Sequence, residues 1–431
     1  MRPAARLKSL APAVCPLPPP PAPVNLLFLA PQLPYPPRQG TALRNWGLIR
    51  HLSQRHTITL LTFTDEAASA IPPELTAVCA RVRAVPVPRR TRAERLRALF
   101  SPHADLARRL WSPAFSRQLA DTVRAASFDL VQIEGLEMAP YLAAIPPGPR
   151  RLYDAHNVEH MLQRRAARVD LARPARWPAA LYSWLQWPRL KQLEAWTCRQ
   201  VDAVTCVSAE DAASLRALVP GLEPCVIPNG IDVAGYASFL APAPPPDDAR
   251  PAAVIFTGKM DYRPNIDAVL WFAASVWPRV RAAQPQARFM IVGQKPTPAV
   301  QALDGRDGIT VTGAVDDVRP LMAQAAVFVA PLRMGGGTRL KLLEAMALAR
   351  PVVSTTLGAE GFPVQAGREL LLADAPADFA RAVLRLLTDP AEARRLGLAG
   401  RDFVQGRYDW SALLPNLEAV YRRLRAPAGA G

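Results

Sequence analysis

Three places in the chain hold residue types that could manage charge during a reaction. The first lies within Val327–Glu360, VFVAPLRMGGGTRLKLLEAMALARPVVSTTLGAE, where Gly335, Gly336 and Gly337 separate an apolar run from Thr338, Arg339, Lys341 and Glu344. Successive glycines let a backbone approach an anion, and the first N–H groups of a following helix point outward with the helix dipole behind them. Arg339 and Lys341 would bring cations to that turn, and Glu344 would offer a carboxylate to a ribose diol. Neither G-x-x-x-x-G-K-[ST] nor G-x-G-x-x-G occurs here, so a capped surface loop with a solvated glutamate is the competing reading. The second place is Gly258-Lys259, where an ammonium could neutralise a departing diphosphate by ion pairing, or simply be a solvated turn lysine. The third is His156 in Asp154-Ala155-His156-Asn157. Alone among the five histidines it directly follows an expected buried strand, where a neutral imidazole could serve a reacting group or be merely structural.

The elements needed to position these groups read as alternating strands and helices. Leu26–Leu29, Thr57–Phe63, Arg81–Val87, Leu130–Glu134 and Arg151–Asp154 are short apolar runs, with a helical pattern over Thr41–Arg55 after the first. Such a start opens a doubly wound sheet, whose ligands sit beyond the carboxyl ends of its strands. Gly40 falls where the first loop meets its helix, a place that needs a turn or admits a phosphate or sugar. The same alternation resumes with Val254–Thr257, Phe289–Val292, Ile309–Thr312, Val327–Ala330 and Pro351–Ser354. Thr338 is the expected N-cap of a helix buried through Leu340, Leu343, Met346 and Ala347.

Proline divides the chain. Residues 1–23 are basic and proline-broken, the pattern of a disordered tail rather than a signal peptide. A second proline-rich stretch at 241–250 marks a linker between an N-terminal domain, 24–240, and a C-terminal domain, 251–408. Residues 409–431 hold a last helix preceded by Tyr408-Asp409-Trp410.

Half of the 431 residues are apolar and 20% are charged, as in a soluble globular protein, and no apolar run is long enough to span a bilayer. The five cysteines form no C-x-x-C pair, which argues against a zinc site or a disulfide framework and suits a reducing cytoplasm. Residues 1–240 carry 29 Lys and Arg against 18 Asp and Glu, and the remainder 23 against 18. The basic first half suits an anionic partner: a phosphorylated substrate, an acidic membrane surface or nucleic acid, although no nucleic-acid module is present. Between 176 and 199, Trp177, Trp184, Trp187 and Trp196 alternate with Arg176, Arg189 and Lys191. This pattern fits a membrane interface or a helix covering its own domain; the covering helix is the reading adopted, with Pro188 kinking or ending it.

Taken together, the loop ending in Gly40, Asp154-Ala155-His156-Asn157, Val207-Ser208, Ile227-Pro228-Asn229-Gly230-Ile231-Asp232, Thr257-Gly258-Lys259 and Leu343-Glu344-Ala345-Met346-Ala347 resemble the family-four retaining glycosyltransferases that use nucleotide-sugars. The resemblance covers Val24 to Arg425. It implies a GT-B fold: two Rossmann-like doubly wound parallel-sheet domains facing across a cleft, with the final helix crossing back to the first. It further implies that Glu344 binds the ribose, that Lys259 binds the diphosphate, that His156 reaches the donor sugar, and that Gly40 touches donor phosphates or acceptor. The family's Glu-x7-Glu pair is incomplete, since Gly336 stands where the first glutamate is expected. Asn265 stands near where a second diphosphate lysine is usual, leaving Arg339 or Lys341 to substitute.

The expectation is a cytoplasmic retaining hexosyltransferase, peripheral on the inner face of the plasma membrane. It would carry a hexose from a UDP- or GDP-sugar to a hydroxyl of a glycan or lipid-linked acceptor in surface polysaccharide or glycolipid synthesis. The diphosphate would be held by Lys259, Gly336, Gly337, Thr338, Arg339, Lys341 and Gly40, with no metal and no cofactor. The alternatives are an epimerase or hydrolase on the same scaffold, and a non-catalytic protein binding anionic membrane or nucleic acid.

Overall fold

The structure, a computed structural model, describes residues 22–37, 40–65, 71–99, 101–171, 174–240, 252–334 and 339–425. Residues 1–21 of the expected tail at 1–23, the linker, and Gly336, Gly337 and Thr338 lie outside the described residues.

Two parallel sheets follow one another along the chain. The first contains β1 (Asn25–Ala30), β2 (Thr57–Thr64), β3 (Arg81–Pro86), β4 (Leu130–Glu134), β5 (Arg150–Ala155), β6 (Ala203–Cys206) and β7 (Cys225–Val226), in the order β3-β2-β1-β4-β5-β6-β7. The second contains β8 (Ala253–Thr257), β9 (Arg288–Val292), β10 (Ile309–Gly313), β11 (Val327–Ala330), β12 (Val352–Ser354) and β13 (Leu371–Leu372), in the order β10-β9-β8-β11-β12-β13. Every recorded pairing between these strands is parallel. Parallel strands need crossover helices, which cover both faces, so the central strands read as unbroken apolar runs. Each sheet accordingly has two apolar clusters, one per face.

The order reverses between β1 and β4, and again between β8 and β11. At such a switch the loops leaving adjacent strands diverge and open a crevice at their carboxyl ends. Lys259 follows β8 and the Leu340–Ala347 helix follows β11, its hydrogen-bonded neighbour, which brings two distant stretches of sequence to one end of the sheet.

The last helix, Trp410–Arg425, packs on the first sheet. Trp410, Leu413, Leu417, Val420 and Tyr421 join Leu26, Phe28, Leu130 and Leu152 in one buried cluster with the Gly40–Leu52 helix. The two chain crossings between the sheets are tied side by side: Ile231 N–H donates to Tyr408 O (2.8 Å) and Trp410 N–H to Ile231 O (3.2 Å). Gly47 and Gly230 make room for the Trp410 indole, since a Cβ at either would overlap its ring.

The Trp177–Arg199 helix departs from expectation in two ways. It runs unbroken for 23 residues with Pro188 inside it. Its covered face is Ala180, Ser183, Gln186, Leu190 and Glu194, while Trp177 (59% exposed), Leu181 (58%) and Trp184 (59%) form an outward stripe, beside exposed Leu171 and Val169 of the Glu159–Leu171 helix. The tryptophans at 177 and 184 therefore do not cover their own domain.

Candidate active site

The first half of the site is a buried polar cluster at the carboxyl ends of β4 and β5. Glu134 ends β4 and pairs in register with Asp154 of β5. With Gln132, whose partner in register is Leu152, they continue the face that is apolar at Leu130 and Leu152. Asp154 receives Arg44 of the Gly40–Leu52 helix through Nε (2.7 Å) and Nη2 (2.9 Å), and the Thr205 hydroxyl at 2.7 Å. Arg44 Nη1 also donates to Pro228 O at 3.1 Å, joining the Pro228-Asn229-Gly230 turn to the cluster. His156 Nε2–H donates to Glu134 Oε2 at 2.9 Å and lies 3.5 Å from Asp154 Oδ2.

These neighbours decide the protonation of His156. Burial alone would lower it, but Asp154 and Glu134, by hydrogen bonding and by charge, outweigh burial and raise it to about 9. The imidazole is thus a cation at neutral pH, not the neutral ring expected from the sequence. Its proton is too firmly held for a general base. Because Nε2–H is given to Glu134, the group left to face a ligand is Nδ1–H, which has no hydrogen-bond partner among the described residues.

Glu134, Asp154 and His156 are also where a metal could be considered, their ligand atoms lying within 4.8 Å of one another. Both Asp154 oxygens are already engaged, by Arg44 and Thr205. An ion would have to displace a buried guanidinium. Two cations against two carboxylates make this a charge-paired cluster instead.

The second half lies beyond β8 and β11. Gly258 has φ +154°, and a Cβ there would meet Asn265 Nδ2 at 2.6 Å and Lys341 Nζ at 2.8 Å. Its bare backbone makes room for that pair. Lys341 Nζ donates to Asn265 Oδ1 (2.8 Å) and sits 4.1 Å from the centre of the Phe256 ring; Asn265 Nδ2 donates to Lys259 O (2.9 Å). Lys341 therefore occupies the space beside Asn265. Burial, then the charge of Arg339, pushes its ammonium down to about 7. Lys259 is half exposed, with Asp261 Oδ1 3.4 Å from its Nζ.

Arg339 is buried (7% exposed), so its guanidinium does not project freely toward solvent. The helix runs Leu340–Ala347 with Arg339, not Thr338, at the N-cap position and no side-chain cap bond. Glu344 Oε1 accepts the Tyr236 hydroxyl at 3.1 Å, and burial raises its carboxyl above the usual range. Arg319, paired to Asp317 at 2.8 Å, lies over the Phe239 ring at 4.6 Å, close to Glu344. Gly40 is the first residue of its helix, exposed, and a Cβ there would meet nothing within 4 Å. Ser208 caps the Ala209–Leu218 helix by accepting from Asp211 N–H at 3.0 Å, a structural role.

Lys259, Lys341 and Glu344 thus gather at one end of the second sheet, and His156 at the corresponding end of the first. Sequence reading missed Arg44, Gln132, Tyr421 and Tyr236. Arg44 and Gln132 carried a usable signal, each being polar in a segment otherwise patterned for burial.

Comparison with known proteins bears on this arrangement. Residues 39–234 match the model for Glycosyltransferase Family 4, and residues 251–389 match that for Glycosyl transferases group 1. A phosphatidyl-myo-inositol mannosyltransferase of Propionibacterium freudenreichii subsp. shermanii is 29% identical over 235 residues, 52% of this chain and 56% of that one. The chain spans about half the length of the curated relatives it matches. The sucrose-phosphate synthase of Thermosynechococcus elongatus has the same fold, with TM-score 0.65 at 20% identity over 93% of this chain and 99% of that one. So does Anabaena HepE, solved with UDP, with TM-score 0.62 at 15% identity over 93% and 100%. With both sheets matched to one fold and the two halves matched to adjoining family models, the chain belongs to the group-1, family-four glycosyltransferases of GT-B fold.

Proposed function

We propose that the protein transfers a hexose from a UDP- or GDP-sugar to a hydroxyl of a surface-glycan or lipid-linked acceptor, with retention of anomeric configuration. The observation that carries this reading is the pairing of Lys341 with Asn265 beside Lys259. Lys259 and Lys341 thereby bring two ammonium groups, the second with no carboxylate bonded to it among the described residues, to where backbone from β8 and β11 meets. A diphosphate would supply the missing anion and restore full charge on Lys341. Glu344 would take the ribose in exchange for Tyr236, and the Nδ1–H of His156 would donate to the donor sugar or to the departing phosphoryl oxygen. The acceptor oxygen bonds to the anomeric carbon as the carbon–phosphate oxygen bond breaks on the same face, and the acceptor proton passes to the leaving phosphate. Ammonium groups and amides do the work of a divalent ion here, so chelators should leave transfer unchanged.

The outward stripe of Trp177, Leu181 and Trp184 supports a peripheral membrane contact for a lipid-linked acceptor. The acids of residues 159–199 are turned inward or paired: Glu194 receives Glu159 N–H (2.8 Å) and His160 Nδ1, and Asp170 is ion-paired to Arg176 at 2.8 Å. Arg165, Arg168 and Lys191 are exposed around the stripe, leaving a basic aromatic surface suited to anionic lipid. No helix among the described residues is long and apolar enough to cross a membrane.

Thermal-shift titration with UDP, GDP and their hexose conjugates tests the donor assignment, and NMR of the product's anomeric proton tests retention. A protein stabilised by none of these nucleotides would refute the reading. Flotation with vesicles containing or lacking phosphatidylglycerol, using wild type and W177S/W184S, tests the membrane contact separately.

A further inference from the structure

The buried polar cluster extends further than the reaction asks. Tyr421, in the last turns of the Trp410–Arg425 helix, donates its hydroxyl to Gln132 Oε1 at 2.6 Å. Gln132 Nε2 donates to Glu134 Oε1 at 2.7 Å, and Glu134 Oε2 accepts from His156 Nε2 at 2.9 Å. The bonds converge on Glu134 from both sides, along a chain in which Tyr421, Gln132 and Glu134 are fully buried and His156 nearly so. We infer that Tyr421 is a positioning residue for His156: its hydroxyl, acting through Gln132 and Glu134, fixes the orientation of the imidazole, so the helix that returns from the second domain sets the first domain's half of the site.

Three observations carry this. First, the surrounding core would be served by apolar side chains, and Tyr421 packs among Leu26, Phe28, Leu130 and Leu417, where a phenylalanine would fill almost the same volume. Burying a hydroxyl, an amide and a carboxylate there costs free energy unless all are satisfied. Second, the hydrogen-bond geometry gives each group one role, Tyr421 donating to Gln132 and Gln132 to Glu134. Burial, then the Glu134 and Asp154 charges, holds the Tyr421 hydroxyl well above its ordinary value, so it stays a donor. Gln132 Oε1 accepts that hydrogen bond and its amide N–H turns to Glu134 Oε1, which leaves Glu134 Oε2 for the imidazole. Third, the other groups around His156 are already committed. Arg44 and Thr205 hold Asp154; the Glu159 carboxyl, raised to about 7 by burial and then by Glu137 and Glu194, accepts the Asn157 amide at 3.3 Å, and Glu137 sits beside Gly135. Only Glu134 is left to be aimed, and Gln132 aims it.

The geometry does not depend on what the protein transfers, so its test reads His156 directly. Histidine-labelled full-length chain is titrated by NMR, with His156 assigned from the H156Q spectrum. Wild type should titrate near the high value given by its two carboxylates. Tyr421→Phe should lower the midpoint by about half a pH unit or more and weaken the Nε2–H tautomer signature, because an unanchored Glu134 rotates away. Gln132→Leu should do the same, and the double variant should be no lower than either single one, since all cut one chain. Leu417→Ala, which loosens the helix without touching the hydroxyl, should lower Tm and leave the midpoint in place. A Tyr421→Phe protein whose midpoint stays within about 0.2 units of wild type overturns the inference. Should Tyr421→Phe fail to fold, the Y421F/Q132L pair, which leaves no orphaned amide, decides the matter on the same criterion.

Discussion

The two halves of the site handle charge in opposite ways. Around His156 the protein supplies both signs itself, with Arg44 and the imidazolium against Asp154 and Glu134, and a hydrogen bond closes each pairing. Around Lys341 it supplies mainly one sign. The buried ammonium meets an amide oxygen and a ring, with Arg339 as a further cation. A closed cluster is preorganised before any ligand arrives, and it can hold a hydrogen-bond donor aimed at one point. An open cluster is strained until an anion arrives, which turns the cost of burying a cation into selectivity for that anion.

The largest effect should come from breaking the closed side. Arg44→Met leaves Asp154 buried without its bidentate partner and should cost about 3–5 kcal/mol in urea unfolding. Next comes pH. His156 is raised from 6.5 to about 9 in the folded state, so its contribution is complete below about 6.5 and lost as pH climbs through about 9. The stability difference between wild type and H156Q should therefore shrink by about 3 kcal/mol from pH 6 to pH 10.

The open side should show the reverse sign. Lys341 is lowered from 10.5 to about 7, so the unfolded chain binds more protons across that window and the lysine's penalty fades as pH rises. Lys341→Met should stabilise the protein at pH 6 by at least about 1 kcal/mol, with less gain at pH 10, while abolishing the nucleotide-induced thermal shift. Equal pH dependence for H156Q and K341M would erase the contrast between the two halves. Gly47→Ala should cost about 1–3 kcal/mol by driving a methyl into the Trp410 indole, without altering nucleotide affinity. The smallest stability effect belongs to the half-exposed Lys259: Lys259→Ala should stay within about 0.5 kcal/mol of wild type, yet weaken diphosphate binding about tenfold.

The positions of several candidate site residues were legible because their chemistry is local. A strand followed directly by glycines, or by a lysine or histidine, has little choice about where that residue sits, since parallel strands deliver their carboxyl ends to one edge. That rule places His156, Lys259 and the Lys341–Glu344 turn from the sequence alone. It could not give the charge on His156, because the two carboxylates that hold its proton come from strand ends 20 residues apart and become neighbours only through the pairing of Glu134 with Asp154. Nor could it show that Trp177 and Trp184 face outward: their helix has apolar residues on more than one side, and only the packing partner selects which is covered.

The sequence by itself determined two parallel sheets and the edge at which each reactive side chain stands, because strand period, glycine turns and crossover connections are local properties. The tertiary structure alone decided which of those side chains are charged and which way they point. Arg44 reaches Asp154 across 110 residues and Tyr421 reaches Gln132 across 289. A buried group's proton is governed by whatever lies within a few ångströms of it, and no spacing along the chain records that distance.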